Sequence, residues 1–168
     1  MKKYLLAFLL TFVVIGCSSK NPSDILSDAS EAIKNNQIEQ AVKLFEEISN
    51  DFPESREAPI ALYEMGKIYQ SKLVKNVNET ESFQKAVDYF DRVISKYENS
   101  QEAPLALFMK GFLLANELQK LDEATAAYKL FVTKYPNHEL TKSAQDELDY
   151  MGLSPEEILK KQSEVASK

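Results

Sequence analysis

Apolar residues fall along this chain in short sets spaced three and four apart, with polar turns between them. Ile25, Leu26, Ala29, Ala32 and Ile33 share one helical face. Asn21 or Ser23 is placed to cap that segment, and Asp24 suits its first turn. Asn35-Asn36 interrupts it, as asparagine does at left-handed turn positions. Ile38, Ala41, Val42, Leu44, Phe45, Ile48 and Phe52 make a second face, closed by Pro53. A third helix starts with Ser55 as its cap and Pro59 in its first turn, where a missing N–H costs little. Ile60, Leu62, Met65, Ile68 and Tyr69 carry its apolar face. Phe83, Ala86, Val87, Tyr89, Phe90, Val93, Ile94 and Tyr97 form its partner. Ser100 and Pro104 repeat the start signal for a helix built on Leu105, Leu107, Phe108, Phe112, Leu113 and Leu114. Leu121, Ala124, Ala127, Tyr128, Leu130 and Phe131 follow, ending at Tyr135-Pro136. A seventh helix runs from about Leu140 to Met151 and stops at Gly152. Ser154-Pro155-Glu156-Glu157 then reads as a capping box opening a closing helix that reaches about Val165. That last helix carries only Ile158, Leu159 and Val165, too little for a core face, so it is expected to dock weakly.

The pattern repeats. Ala41 to Gly66 returns as Ala86 to Gly111, with Phe45 matched by Phe90, Ile48 by Val93 and Phe52 by Tyr97. Ser55, Glu57, Ala58, Pro59, Ala61, Leu62 and Gly66 recur as Ser100, Glu102, Ala103, Pro104, Ala106, Leu107 and Gly111. A partial third copy starts at Ala124. Recurrence at a few tens of residues marks stacked supersecondary units, each too small to bury its own apolar face. The fold class expected is all-α: a solenoid of antiparallel helix pairs, about three repeats with closing helices. The stretch from Ser71 to Ser82 interrupts the period and lengthens the hairpin of the second repeat, as a tolerated loop or a partner-contacting protrusion. Asn78-Glu79-Thr80 within it fits a glycosylation sequon, a three-residue match of little weight by itself.

Composition adds restrictions. The formal net charge is −6, with one cysteine and one histidine. An acidic chain does not make a nucleic-acid surface, which needs basic residues to displace counterions. One cysteine excludes an intrachain disulfide or a cysteine metal cluster. His138 sits in a turn before a helix, the position of a surface or capping residue. The first residues differ from the rest. Met1-Lys2-Lys3 is basic, Tyr4 to Ile15 is almost wholly apolar, and a polar run follows Cys17. This is the layout of a signal peptide, with an apolar run shorter than a membrane span.

Val14-Ile15-Gly16-Cys17 resembles the bacterial lipobox. The resemblance implies cleavage after Gly16 and lipidation of Cys17, with an uncleaved anchor or an ordinary secretory signal as alternatives. Several acyl chains hold a domain stably where one does not. The division expected is a lipoprotein signal peptide at 1–16, a lipidated tether at 17–22, a repeat domain at 23–152 and a closing helix at 153–168. Loss of Lys2 and Lys3 takes the formal charge to −8. Ser18 after the cysteine implies, by the enteric sorting pattern, an outer-membrane protein facing the periplasm.

The helix pairs resemble the tetratricopeptide repeat (TPR) family. The small-xxx-aromatic core of its trailing helix is carried by Ala41/Phe45, Ala86/Phe90 and Ala124/Tyr128. Its leading-helix glycine is Gly66 and Gly111, with Ala29 in that place in the first repeat. Its closing proline is Pro53 and Pro136, whereas Glu98 stands at the second copy. The long junctions are similar to those of BamD-like lipoproteins of outer-membrane protein assembly and of the periplasmic TPR partner of the Tol–Pal system. The BamD family has five repeats where this chain has about three. The resemblance therefore carries the class and not the specific role.

No glycine-rich phosphate loop, catalytic triad or desolvated carboxylate pair is visible. The chain reads as a non-enzyme without cofactor or metal. Binding remains. In the TPR family the leading helices line a concave surface, which here implies Tyr63, Glu64, Lys67, Gln70, Phe108, Lys110 and Asn116 as partner-contacting positions. The partner expected is an envelope protein or peptide segment in the groove, with the membrane held through Cys17. The leading expectation is a scaffold in outer-membrane protein assembly. The alternatives are a Tol–Pal-associated adaptor and an accessory lipoprotein binding a small ligand.

Overall fold

The computed structural model describes residues 21–166, with the side chains of 164–166 left aside. The expected signal segment 1–16 and Cys17 lie outside the described residues. Eight α-helices are present among those described: α1 (Pro22–Lys34), α2 (Ile38–Asp51), α3 (Glu57–Gln70), α4 (Glu79–Lys96), α5 (Glu102–Phe112), α6 (Leu121–Lys134), α7 (Thr141–Tyr150) and α8 (Pro155–Ala166). A π-helical turn, Leu113–Glu117, prolongs α5. Each of α1 to α6 packs on the next, as antiparallel pairs do. The TPR-like solenoid is therefore the observed architecture.

The first helix begins one residue inside the expected tether. Asn21 caps it, its side chain accepting from the Asp24 amide at 3.0 Å. Pro22 sits at the start, where its fixed φ suits a helix. Two hairpin turns close by the same backbone device. Asn36 (φ 56°) follows α1 and Lys72 (φ 54°) follows α3, both left-handed. The Asn36 and Gln37 amides donate to the Ile33 and Ala32 carbonyls; the Lys72 and Leu73 amides donate to those of Tyr69 and Ile68. This is the Schellman arrangement, which satisfies the last carbonyls of a helix.

The core runs along the array. Ile25, Ala29, Ala41, Phe45, Ile48, Met65, Phe90, Val93, Leu113 and Leu114 are wholly buried in one continuous cluster. Tyr128, Phe131 and Ala144 anchor a second at the C-terminal end. Gly66 and Gly111 act where expected, by close approach. A Cβ on Gly66 would lie 2.7 Å from Cδ1 of Phe90, and one on Gly111 would lie 2.9 Å from Cε1 of Tyr128. The trailing-helix aromatic thus presses on the backbone of its own leading helix.

The junction serines correct the sequence reading. Ser55 does not cap α3: Arg56 precedes the helix with helical dihedrals, and no side chain accepts there. The turn closes through backbone instead, the Ser55 amide on Phe52 and the Ala58 amide on the Ser55 carbonyl. The Ser100 turn is built in the same way. Both hydroxyls are buried without a hydrogen-bond partner. A side-chain cap needs an extended residue before the helix, and here the chain is already helical. The capping box of α8 does form. The Ser154 amide donates to the Glu157 carboxylate at 2.8 Å, and the Glu157 amide to Ser154 Oγ at 3.3 Å.

Candidate functional site

Among the leading helices α1 touches α3 and α3 touches α5, while successive trailing helices barely meet. Closer neighbours on one side mean shorter arc length there. The leading helices therefore line the inside of the curve, as stacked helix pairs do.

The open row on α3 is Ile60, Glu64 and Lys67, spaced as one helical face. In the repeat register these positions correspond to Leu105, Met109 and Phe112 on α5, all partly buried, followed by Asn116. The two segments of the inner face thus differ: α3 offers charge and α5 offers apolar surface. Met109 touches the main core, whereas Ile60, Leu105 and Phe112 belong to neither core cluster. Leu105, Met109 and Phe112 share one helical face, and contiguous apolar surface, unlike scattered single residues, marks interaction sites.

The candidate residues fall into three groups. Glu64 and Lys67 lie on the inner face, joined by a 2.8 Å ion pair, with Lys67 Nζ 5.6 Å from the centre of the Tyr63 ring. Asn116 is also exposed there, its amide donating to the Phe112 carbonyl at 3.0 Å. Tyr63 and Phe108 occupy equivalent positions at the edge of the row. Each leans on the trailing-helix aromatic, Tyr63 on Phe90 at 5.7 Å and Phe108 on Tyr128 at 5.6 Å. Burial raises the Tyr63 phenol above its ordinary range, with help from Glu64 and Glu102. Lys110 turns away from the row to Asp91 of α4, at 2.6 Å. Gln70 is half-buried at the end of α3. The sequence reading missed Ile60, Leu105, Met109 and Phe112 as surface, assigning three of them to the core. The available signal was that α5 is apolar on more sides than one packed face requires.

The π turn lies directly under this row. From Ala29 to Ala41 the first hairpin spans twelve steps; from Gly111 to Ala124 the third spans thirteen. The extra residue is absorbed by one wide turn at Leu113–Glu117, which keeps Leu113 and Leu114 buried and returns α6 in phase. Gln119 (φ 55°) makes the left-handed exit, and its side chain donates to the Asn116 carbonyl at 3.0 Å.

Beside Ile60, a cleft of about 850 Å³ opens between the α2–α3 and α4–α5 turns. Glu54, Arg56, Lys96, Glu98 and Glu102 line it, so it lacks the apolar enclosure a hydrophobic ligand uses. His138 braces the turn before α7, Nδ1 accepting from the Leu140 amide at 3.2 Å, but no side chain caps α7 itself. Among the described residues no group of three or more His, Cys, Asp or Glu is placed to hold a metal ion.

Residues 18–154 match a protein family described as outer membrane lipoprotein, YfiO. The chain belongs to the YfiO family. The match begins at the residue after Cys17 and ends at the serine that caps α8. The BamD-like TPR resemblance drawn from the repeats is thus borne out at family level, and so is an outer-membrane lipoprotein. Among the described residues no helix is long and apolar enough to cross a membrane. No curated protein matches the chain.

Proposed function

We propose that this YfiO-family protein is a lipid-anchored, non-enzymatic scaffold that takes part in outer-membrane protein assembly from the periplasmic side. Cys17 would carry the anchor, and the inner face of the solenoid would hold a segment of another envelope protein. The observation that carries this reading is the pairing of the family match with the outward apolar row Leu105, Met109 and Phe112. That row adjoins the Glu64–Lys67 pair on α3. An apolar strip beside charge suits an amphipathic segment, whose apolar positions set affinity while the ion pairs set register.

Photo-cross-linking in living cells tests the proposal. A photoreactive residue at Lys67 or Phe112 is expected to trap one or a few envelope proteins. The same residue at Lys43, exposed on a trailing helix, is expected to trap none of them. Identical capture from both faces would sink the inner-face reading. Cys17→Ser is expected to move the protein from the membrane to the soluble fraction. Retention at the membrane would remove the anchor from the proposal.

A further inference from the structure

The start of α1 leaves almost no slack between the proposed anchor and the folded repeats. Asn21 is fixed as the cap, its amide also donating to the Asp24 carboxylate at 2.7 Å. Ile25, on the next turn, is wholly buried, and Ala29 and Ala32 follow on the same face. From Cys17 to Asn21 is four residue steps, which span at most about 14 Å even when fully extended. The short turn after α1 makes it antiparallel to α2, so its first residues lie beside the end of α2 and the turn at 52–56. The loop 71–78 is at the opposite end of α3, a helix about 21 Å long.

Net charge keeps the body from lying flat on so short a tether. The chain carries −6, and −8 without Lys2 and Lys3. An anionic lipid surface repels such a body within roughly a Debye length, about 8 Å at physiological salt. Repulsion swings the body outward and leaves the tethered corner lowest. Arg56, largely exposed, pairs there with Glu57 at 3.3 Å, while Asp24, Asp51 and Glu54 leave the corner acidic, so the short tether and not local charge holds it lowest. The loop 71–78 has too little positive charge to reverse this. Lys72 is paired with Glu79 at 2.6 Å, which leaves Lys75.

We infer that the corner formed by the start of α1 and the 52–56 turn is the surface apposed to the lipid headgroups. The loop 71–78, with its exposed Leu73 and Lys75, faces the aqueous compartment. This rests on the lipid anchor proposed above.

The test uses the full lipidated chain on vesicles of phosphatidylethanolamine and phosphatidylglycerol. Acylation consumes the thiol of Cys17, so Glu54→Cys or Lys75→Cys supplies a unique site for a fluorophore. With a nitroxide on the lipid headgroups, the label at 54 is expected to lose most of its emission and the label at 75 to keep nearly all of it. Equal quenching, or stronger quenching at 75, overturns the orientation while leaving the anchor standing. Protein that fails to float with the vesicles overturns both. A Gly-Ser linker of about 20 residues inserted after Ser18, with a reach of about 25 Å, is expected to erase the difference. A difference that survives the linker overturns the tether as its cause.

Discussion

Gly66 and Gly111 show how a single missing methyl sets the spacing of a hairpin. In an unconstrained helix, alanine is better than glycine by about 1 kcal/mol. Here the added Cβ would enter the ring of Phe90, 2.7 Å from Cδ1 and 2.9 Å from Cζ. Phe90 is wholly buried and has nowhere to move. Gly66→Ala is therefore expected to destabilise the protein by about 1–3 kcal/mol in urea unfolding, the opposite sign from its helix propensity. Gly111→Ala, whose nearest atom is 2.9 Å away, is expected to cost less.

The buried phenols make a second residue-scale prediction. Burial, with Tyr69 alongside, pushes Tyr89 up to about 12. Burial, with Glu147 nearby, raises Tyr128 further still. Both shifts favour the protonated folded state. Their contribution is intact below pH 10, the ordinary phenol value, and is lost as the pH climbs from there toward 12. The urea midpoint is expected to fall steeply across that interval, and Tyr89→Phe with Tyr128→Phe to flatten the fall. At neutral pH, Tyr128→Phe removes a buried hydroxyl that has no partner. It is expected to leave stability unchanged or raise it by about 1–2 kcal/mol in thermal unfolding, since no hydrogen bond is lost.

At the level of elements, the three hairpins solve one problem in different ways. The first turns in three residues after α1. The second uses the loop 71–78 and starts α4 a turn early, with Asn78 accepting from the Glu81 amide at 2.9 Å. Ser82 Oγ then donates to the Tyr69 carbonyl at 2.6 Å, fastening the loop to the helix it left. Asn78 is thus a helix cap, which gives the sequon residue a structural task. The third hairpin stores its additional residue in the π turn. Deleting Asn116 is expected to convert Leu113–Glu117 to ordinary α-helix and to keep a cooperative fold with a melting temperature no lower than the parent. A deletion of Leu114, which is wholly buried, is expected to unfold the third repeat. Amide exchange across 111–121 reads both outcomes.

For the whole molecule, much of the fold was legible before any coordinates. The pairing Ala41/Phe45, Ala86/Phe90 and Ala124/Tyr128 marks the trailing helices, and Gly66 and Gly111 mark where leading helices approach them. These are contacts within a repeat, a few residues apart on helices of known period, so local pattern determines them. The opening motif Val14–Cys17 and the family match beginning at residue 18 likewise need only the order of residues. The inner face was legible in part. Glu64, Lys67 and Asn116 lie on it, while Lys110 spends its charge on Asp91 and Tyr63 and Phe108 lean into the ring packing. Which side of α5 is covered depends on how closely α3 and α4 approach it, and that is a relation between repeats. Helical periodicity reports that Leu105, Met109 and Phe112 share a face, but only the stacking of one repeat on the next decides that the face stays open. The junction serines fail for the same reason. Ser55 and Ser100 read as caps by residue type, yet the backbone turn set by Phe52 and Tyr97 makes the chain helical one residue too soon for their hydroxyls to reach an amide. Sequence alone determined the repeat, its core and its family. The tertiary structure decided the curvature, the half-buried apolar row on α5 and the corner where α1 begins, because each depends on distances between elements far apart in the chain.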